Sequence, residues 1–190
     1  PQQVALTDEG VNGLAIHVLN ECGEPIDLSL ELACLRAGSQ PVVSGRRDLF
    51  MAGRSAITIA ATDLFGAFFD VTYAYRFGPP AHDVTIARLK RNDTTIAEAF
   101  HFPLGRKTAF HDAAIEVIPV EENGNWFLEL KTPVLAQSVS IDAGNWRAAE
   151  NWFHLAPNVT KRIALIPRQA APGKPSGEIR IAGSSRIVWF

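Results

Sequence analysis

Apolar side chains recur at every second position in Leu14, Ile16 and Val18, and again in Leu28, Leu30, Leu32 and Cys34. A period of two is the geometry of a strand, whose successive side chains point to opposite faces, so each run hides one face and wets the other. No stretch longer than about two turns carries the 3.6-residue apolar stripe of a packed helix. Residues 44–52 and 146–153 have room for a short helical turn at most. The chain is therefore confined to half-buried sheets, which must cover their apolar faces with one another.

Between the first two runs, Glu21-Cys22-Gly23-Glu24-Pro25 supplies turn chemistry, and a proline there would be badly placed inside a ladder. Further strands are predicted at 57–61, 68–75, 84–90 and 95–102, with Phe69, Val71, Tyr73 and Tyr75 on one face of the second. A second set is predicted at 114–120, 126–131, 134–141, 160–166, 177–181 and 185–190. Asn123-Gly124 between two of these is a type I′ hairpin signal, since both central residues must reach positive φ. Residues 169–176, rich in Pro, Ala and Gly, are expected to form a loop. About a dozen short strands separated by turn residues describe sandwiches, and 190 residues suit two of about 100 each. With Pro103-Leu104-Gly105-Arg106-Lys107 as the junction, the expectation is all-β: two immunoglobulin-like antiparallel β-sandwich domains in tandem, 1–103 and 104–190.

Charge narrows the partners. Eighteen Lys and Arg against twenty Asp and Glu leave a formal charge of -2. The densest basic run, Arg88-Leu89-Lys90-Arg91, is followed at once by the turn residues Asn92-Asp93, so no nucleic-acid partner is expected. The longest apolar runs, 56–61 and 65–69, fall short of the roughly 20 residues of a spanning helix, so no membrane partner is expected either. The start, Pro1-Gln2-Gln3, lacks the basic and apolar regions of a signal peptide, and opening on Pro1 suggests a piece of something longer. Cys22 and Cys34 would lie near a turn and at the far end of the following strand, which makes both free thiols with Cys34 in a core.

The five histidines, His17, His82, His101, His111 and His154, have no i, i+2 or i, i+4 pairing, and neither cysteine has a second one nearby, so no metal is expected. Nucleotide-binding and nucleophile-elbow motifs are missing, and no cofactor is expected. Asn20-Glu21 matches the Asn-Glu pair of many barrel glycosidases. That pair needs a barrel of about 250 residues to position it, so here it reads as a charged turn after a strand, and no catalytic residue is assigned. All four tryptophans lie in the second half. Trp126 and Trp189 read as core, whereas Trp146, in the loop after Asp142-Ala143-Gly144-Asn145, is the one able to face solvent and stack on a sugar.

Residues 149–158 then read Ala149-Glu150-Asn151-Trp152-Phe153-His154-Leu155-Ala156-Pro157-Asn158, followed by Lys161 and a strand containing Ile163 and Leu165. This stretch resembles the C-terminal immunoglobulin-like domain of β-mannosidases of glycoside hydrolase family 2. There the pattern runs acidic, Asn, aromatic, Phe, Asp, Leu, then Pro-Gly. His154 stands at the Asp of that pattern, Ala156 where Leu is common, and Asn158 at the Gly. Residues 13–20 resemble the strand ending in Asn that opens the preceding sandwich, and 101–105 its exit. The resemblance implies a non-catalytic accessory region whose partner is an upstream (β/α)8 barrel, the parent protein hydrolysing terminal β-mannosides, with carbohydrate as a further partner. Asn151, Trp152, Phe153, Leu155 and Pro157 would form a structural corner in which the Asn151 side chain satisfies backbone amides. A carbohydrate-binding module and a structural or adhesive sandwich pair are the alternatives.

Overall fold

In the first sheet, β1 (Gln2–Asp8) runs antiparallel to β2 (Leu14–Asn20), and the buried side chains of β2 are Leu14, Ile16, Val18 and Asn20. Two long strands follow, β3 (Ile26–Arg36) and β4 (Gln40–Met51), then β5 (Ser55–Ala60), which returns to β2. A short α-helix, α1 (Ala61–Phe65), precedes β6 (Val84–Arg91) and β7 (Thr94–His101). The sheets have the orders β1-β2-β5 and β4-β3-β6-β7, and their inner faces share one core that includes Ile16, Val18, Leu30, Leu32, Cys34, Met51 and Leu89. Gly45 of β4 has no room for a Cβ, because the Leu64 carbonyl of α1 approaches its backbone there.

The second set of strands comprises β8 (Glu116–Glu122), β9 (Asn125–Lys131), β10 (Ala136–Asp142), β11 (Trp146–Ala148), β12 (Phe153–Leu155), β13 (Lys161–Pro167), β14 (Glu178–Arg180) and β15 (Ile187–Trp189). The orders are β11-β13-β9-β8 and β12-β10-β14-β15, around a core that includes Leu128, Leu130, Val139, Leu155, Ile163 and Ile179. Asn123 and Gly124 take φ values of 50° and 76° and close the β8–β9 hairpin. This computed structural model describes residues 1–168 and 173–190; of the loop expected over 169–176, residues 169–172 lie outside the described residues. The chain divides into two compact units, Pro1–Ala109 and Phe110–Phe190, each an antiparallel β-sandwich.

Several expectations are corrected. Residues 68–75 are not a strand: the Asp70 carboxylate accepts the amides of Ala74 (2.9 Å) and Tyr75 (3.0 Å), winding the segment into a turn with Tyr73 at φ 56°. Residues 44–51, read as room for a helical turn, belong to β4, an edge strand with only Leu49 and Met51 buried over that span. Trp146–Ala148, expected in a loop or helical turn, forms β11 because its backbone pairs with β13. Trp189 is 69% exposed, since β15 is an edge strand that turns Trp189 to water while Val188 packs on the core.

Cys22 is exposed and Cys34 buried, both as free thiols. Burial pushes the Cys34 thiol up to about 11, against a hydrogen bond with Thr85 Oγ1 at 3.4 Å. The same Thr85 hydroxyl meets His82 Nε2 at 3.1 Å. A neutral ring accepting at Nε2 lets Thr85 donate to it and frees the Thr85 oxygen to accept from Cys34, so a polar chain crosses the edge of the first core. Burial, then the charge of His101, hold His82 down to about 4, against the pull of Asp83 and Asp70. Above pH 6.5 both folded and unfolded His82 are neutral. Between about 6.5 and 4 only the unfolded chain takes up the proton, so stability falls with falling pH across that window and levels off below it. Urea melts at pH 7 and pH 4.5 should differ by up to about 3 kcal/mol more for wild type than for His82→Gln.

Candidate functional site

Two asparagines organise the ends of strands. Asn20, 1% exposed at the end of β2, donates from Nδ2 to the carbonyls of Glu24 and Ala52, both at 2.9 Å. Its Oδ1 accepts from Gln2 Nε2 at 3.0 Å and from the Cys22 amide at 3.2 Å. One side chain thus fastens the end of β1, the β2–β3 turn and the β4–β5 turn. Glu21 is exposed in that turn, beside an Asn20 whose side chain is committed to these bonds.

Asn151 does similar work in the second sandwich. Its Oδ1 accepts the Ile141 amide at 2.9 Å and its Nδ2 donates to the Ile141 carbonyl at 2.9 Å, which imitates the two-bond exchange of a ladder pair. Oδ1 also accepts the Trp152 amide at 3.1 Å. The turn places Trp152 in the left-handed region (φ 61°) with its ring 70% exposed, and delivers Phe153 to the core edge with the Lys161 ammonium 5.1 Å from the ring centroid. Leu155, Ala156 and Pro157 are buried behind it, and Asn158 takes φ 58° while its amide bonds to the Thr132 carbonyl at 2.8 Å.

β12 pairs with β10 at Phe153↔Val139 and Leu155↔Ala136, so β10 spends one extra residue between them. That bulge puts Ser138 at φ 46°, and its amide turns to His154 Nδ1 at 3.1 Å. The His ring serves here as an acceptor for a bulge amide. An Asp carboxylate at this position would be an acceptor too.

Trp146 is corrected as a sugar contact. The turn before it closes through Gly144 N to Asp142 Oδ1 (3.1 Å) and Trp146 N to the Ala143 carbonyl (3.0 Å), and this feeds the ring into the second core at 7% exposure. No face is left for a sugar to stack on. Trp126 packs half-buried against the same core. Among the described residues, no three His, Cys, Asp or Glu gather as a metal-holding group.

No protein-family model and no curated protein matches the chain. Its fold recurs in solved structures, two of which serve as examples. A β-D-mannosidase from Dictyoglomus thermophilum superposes with a TM-score of 0.69 at 17% identity, over 91% of this chain and 20% of that one. An exo-chitosanase from Amycolatopsis orientalis, in complex with PNP-β-D-glucosamine, superposes with a TM-score of 0.66 at 11% identity, over 98% of this chain and 26% of that one. The chain spans a fifth to about a quarter of the length of the chains it resembles.

Exposure separates the two asparagines. Asn20→Ala should cost about 3 kcal/mol, because buried carbonyls and an amide lose their partners, whereas Asn151→Ala at the wetter corner should cost about 1 to 2. Chemical melts of the two variants against wild type check the order. At the bulge, His154→Ala should cost about 1 kcal/mol through loss of the bond to the Ser138 amide, and His154→Asp should recover most of it at pH 7. Amide exchange at Ser138 reads that bond directly, fast in the Ala variant and slow in the Asp variant.

Proposed function

We propose that this chain is the non-catalytic accessory region of a glycoside hydrolase resembling the family 2 β-mannosidases, set beside a (β/α)8 barrel of a longer polypeptide that hydrolyses terminal β-mannosides. The observation that carries the reading is the superposition of 91% of the chain on one fifth of a β-D-mannosidase. The corner at Asn151, Trp152, Phe153, Leu155 and Pro157 supports it, since that is where the sequence resembles the C-terminal domains of those enzymes. Retaining hydrolysis needs two carboxylates about 5 to 5.5 Å apart, held where one can keep a proton. Glu21 lies exposed on a turn beside an asparagine already committed to structure, and does not meet that requirement. In this reading the sandwiches serve by rigidity, and the reacting groups belong to the barrel.

Assays with p-nitrophenyl β-mannoside and p-nitrophenyl β-glucosaminide test the reading and choose between the two parent activities. This chain alone should release no nitrophenol from either. The full-length gene product should contain a barrel upstream of these residues, turn over the mannoside faster, and be unaffected by Glu21→Gln. Turnover by the chain alone that vanishes in Glu21→Gln, or a full-length product without a barrel, would overturn it.

A further inference from the structure

The outward face of the β4-β3-β6-β7 sheet carries a cleft of about 510 Å³. Register explains its composition. With Leu28 and Leu30 turned into the core, Asp27 and Ser29 must face out, and their partners across the ladder are Phe50, Asp48 and Lys90. The β6–β7 turn completes the rim with Asn92 and Asp93, both at positive φ (48° and 63°).

Three properties distinguish this cleft from an ordinary wet sheet face. Phe50 lies 70% exposed on its wall, an aromatic ring with no packing role. Ser29 Oγ is buried at its floor with no hydrogen-bond partner. Its cations are already matched, Arg46 to Asp48 at 3.4 Å and Lys90 to Glu31 at 2.8 Å, while the lining carboxylates of Asp27 and Asp93 have no cationic partner among the described residues. A ring face beside exposed, unpaired carboxylates and an amide is the equipment for a pyranose: C–H groups lie on the ring and the sugar hydroxyls donate to carboxylate oxygens. The uncompensated negative charge ranks the sugars, an aminated hexose ahead of a neutral one and a uronic acid last.

We propose that this cleft is a carbohydrate-binding subsite for a hexose unit, preferentially an amino sugar, with Phe50 as the stacking ring and Asp27 and Asp93 as hydroxyl or ammonium acceptors. It stands apart from the accessory-region reading, because it requires only the first sandwich and no parent activity. Backbone NMR titration of the chain with glucosamine tetramer, mannotetraose and a galacturonic acid tetramer tests it. Shifts should gather at Asp27, Ser29, Phe50, Asn92 and Asp93, with affinity falling in that order of ligand. Phe50→Ala and Asp27→Asn, both exposed changes that leave the melting curve unaltered, should each weaken the tightest ligand by about tenfold. Absence of shifts with all three sugars, shifts centred instead on the exposed rings of Phe68, Tyr75 and Phe77, or unchanged affinity in Phe50→Ala would overturn the proposal.

Discussion

Backbone groups that leave a ladder must be satisfied by something, and in each sandwich one buried strand end relies on a side-chain amide. A strand can bury alternate residues only while its neighbours take its hydrogen bonds; where it turns, those groups are orphaned. Asn20 and Asn151 fill that role because a carboxamide carries two donors and an acceptor oxygen with two lone pairs in one plane, the same set a neighbouring strand would present. Asp in either place would offer no donor, and Ala neither. The sheets can be short because their ends are closed in this way: β12, an edge strand only three residues long, is tied to β10 by Asn151 just before it and by the His154–Ser138 bond within it.

Magnitudes decide how the interior tolerates its polar atoms. Trp146 Nε1 is buried without a partner among the described residues, a cost of about 1 to 3 kcal/mol. Its ring buries about 150 to 250 Å² of mostly apolar surface, which returns roughly 4 to 6 kcal/mol, so burial wins. His82 carries the same burden at Nδ1, buried without a hydrogen-bond partner among the described residues, but its other nitrogen is paired. Its Nε2 meets Thr85, and its ring lies 5.4 Å from that of Phe69, so the site is polar at one edge and apolar across the face and suits only the uncharged imidazole.

How far the sequence reveals the fold depends on how many inward residues a strand has. β2 and β3, with three or more buried apolar side chains in strict alternation, are legible at sight, and so is the Asn123-Gly124 hairpin, whose turn demands positive φ twice. β4 is not, because an edge strand presents most of its residues to water and its pattern dissolves. Phe69, Val71, Tyr73 and Tyr75 show the reverse error: their alternation imitates a strand, but one carboxylate, Asp70, captures two amides ahead of it and outcompetes any ladder. Tryptophan exposure could not be read from strand membership at all, since Trp146 and Trp189 occupy short strands and face opposite environments. The cleft residues were equally hidden, for Asp27, Phe50 and Asp93 are unremarkable in sequence and meet only across the sheet.

Strand register joins the core to the cleft. Side chains on a strand alternate strictly, so the register that sends Leu28, Leu30 and Leu32 inward leaves no choice about where Asp27 and Ser29 go. A slip of one residue in β3 would drive Asp27, Ser29 and Glu31 into the first core at a cost no sandwich of this size could meet. The pairings Asp27↔Phe50 and Ser29↔Lys90 are therefore fixed by the hydrophobic face opposite them, and the cleft is held without any contacts of its own devoted to holding it. A binding surface built this way loses little entropy when a ligand arrives, because its backbone was ordered when the core formed. Its side chains are correspondingly free to vary: Phe50 and Asp27 lie on the outward face, and changing them alters what the cleft can hold while leaving the fold that positions it intact.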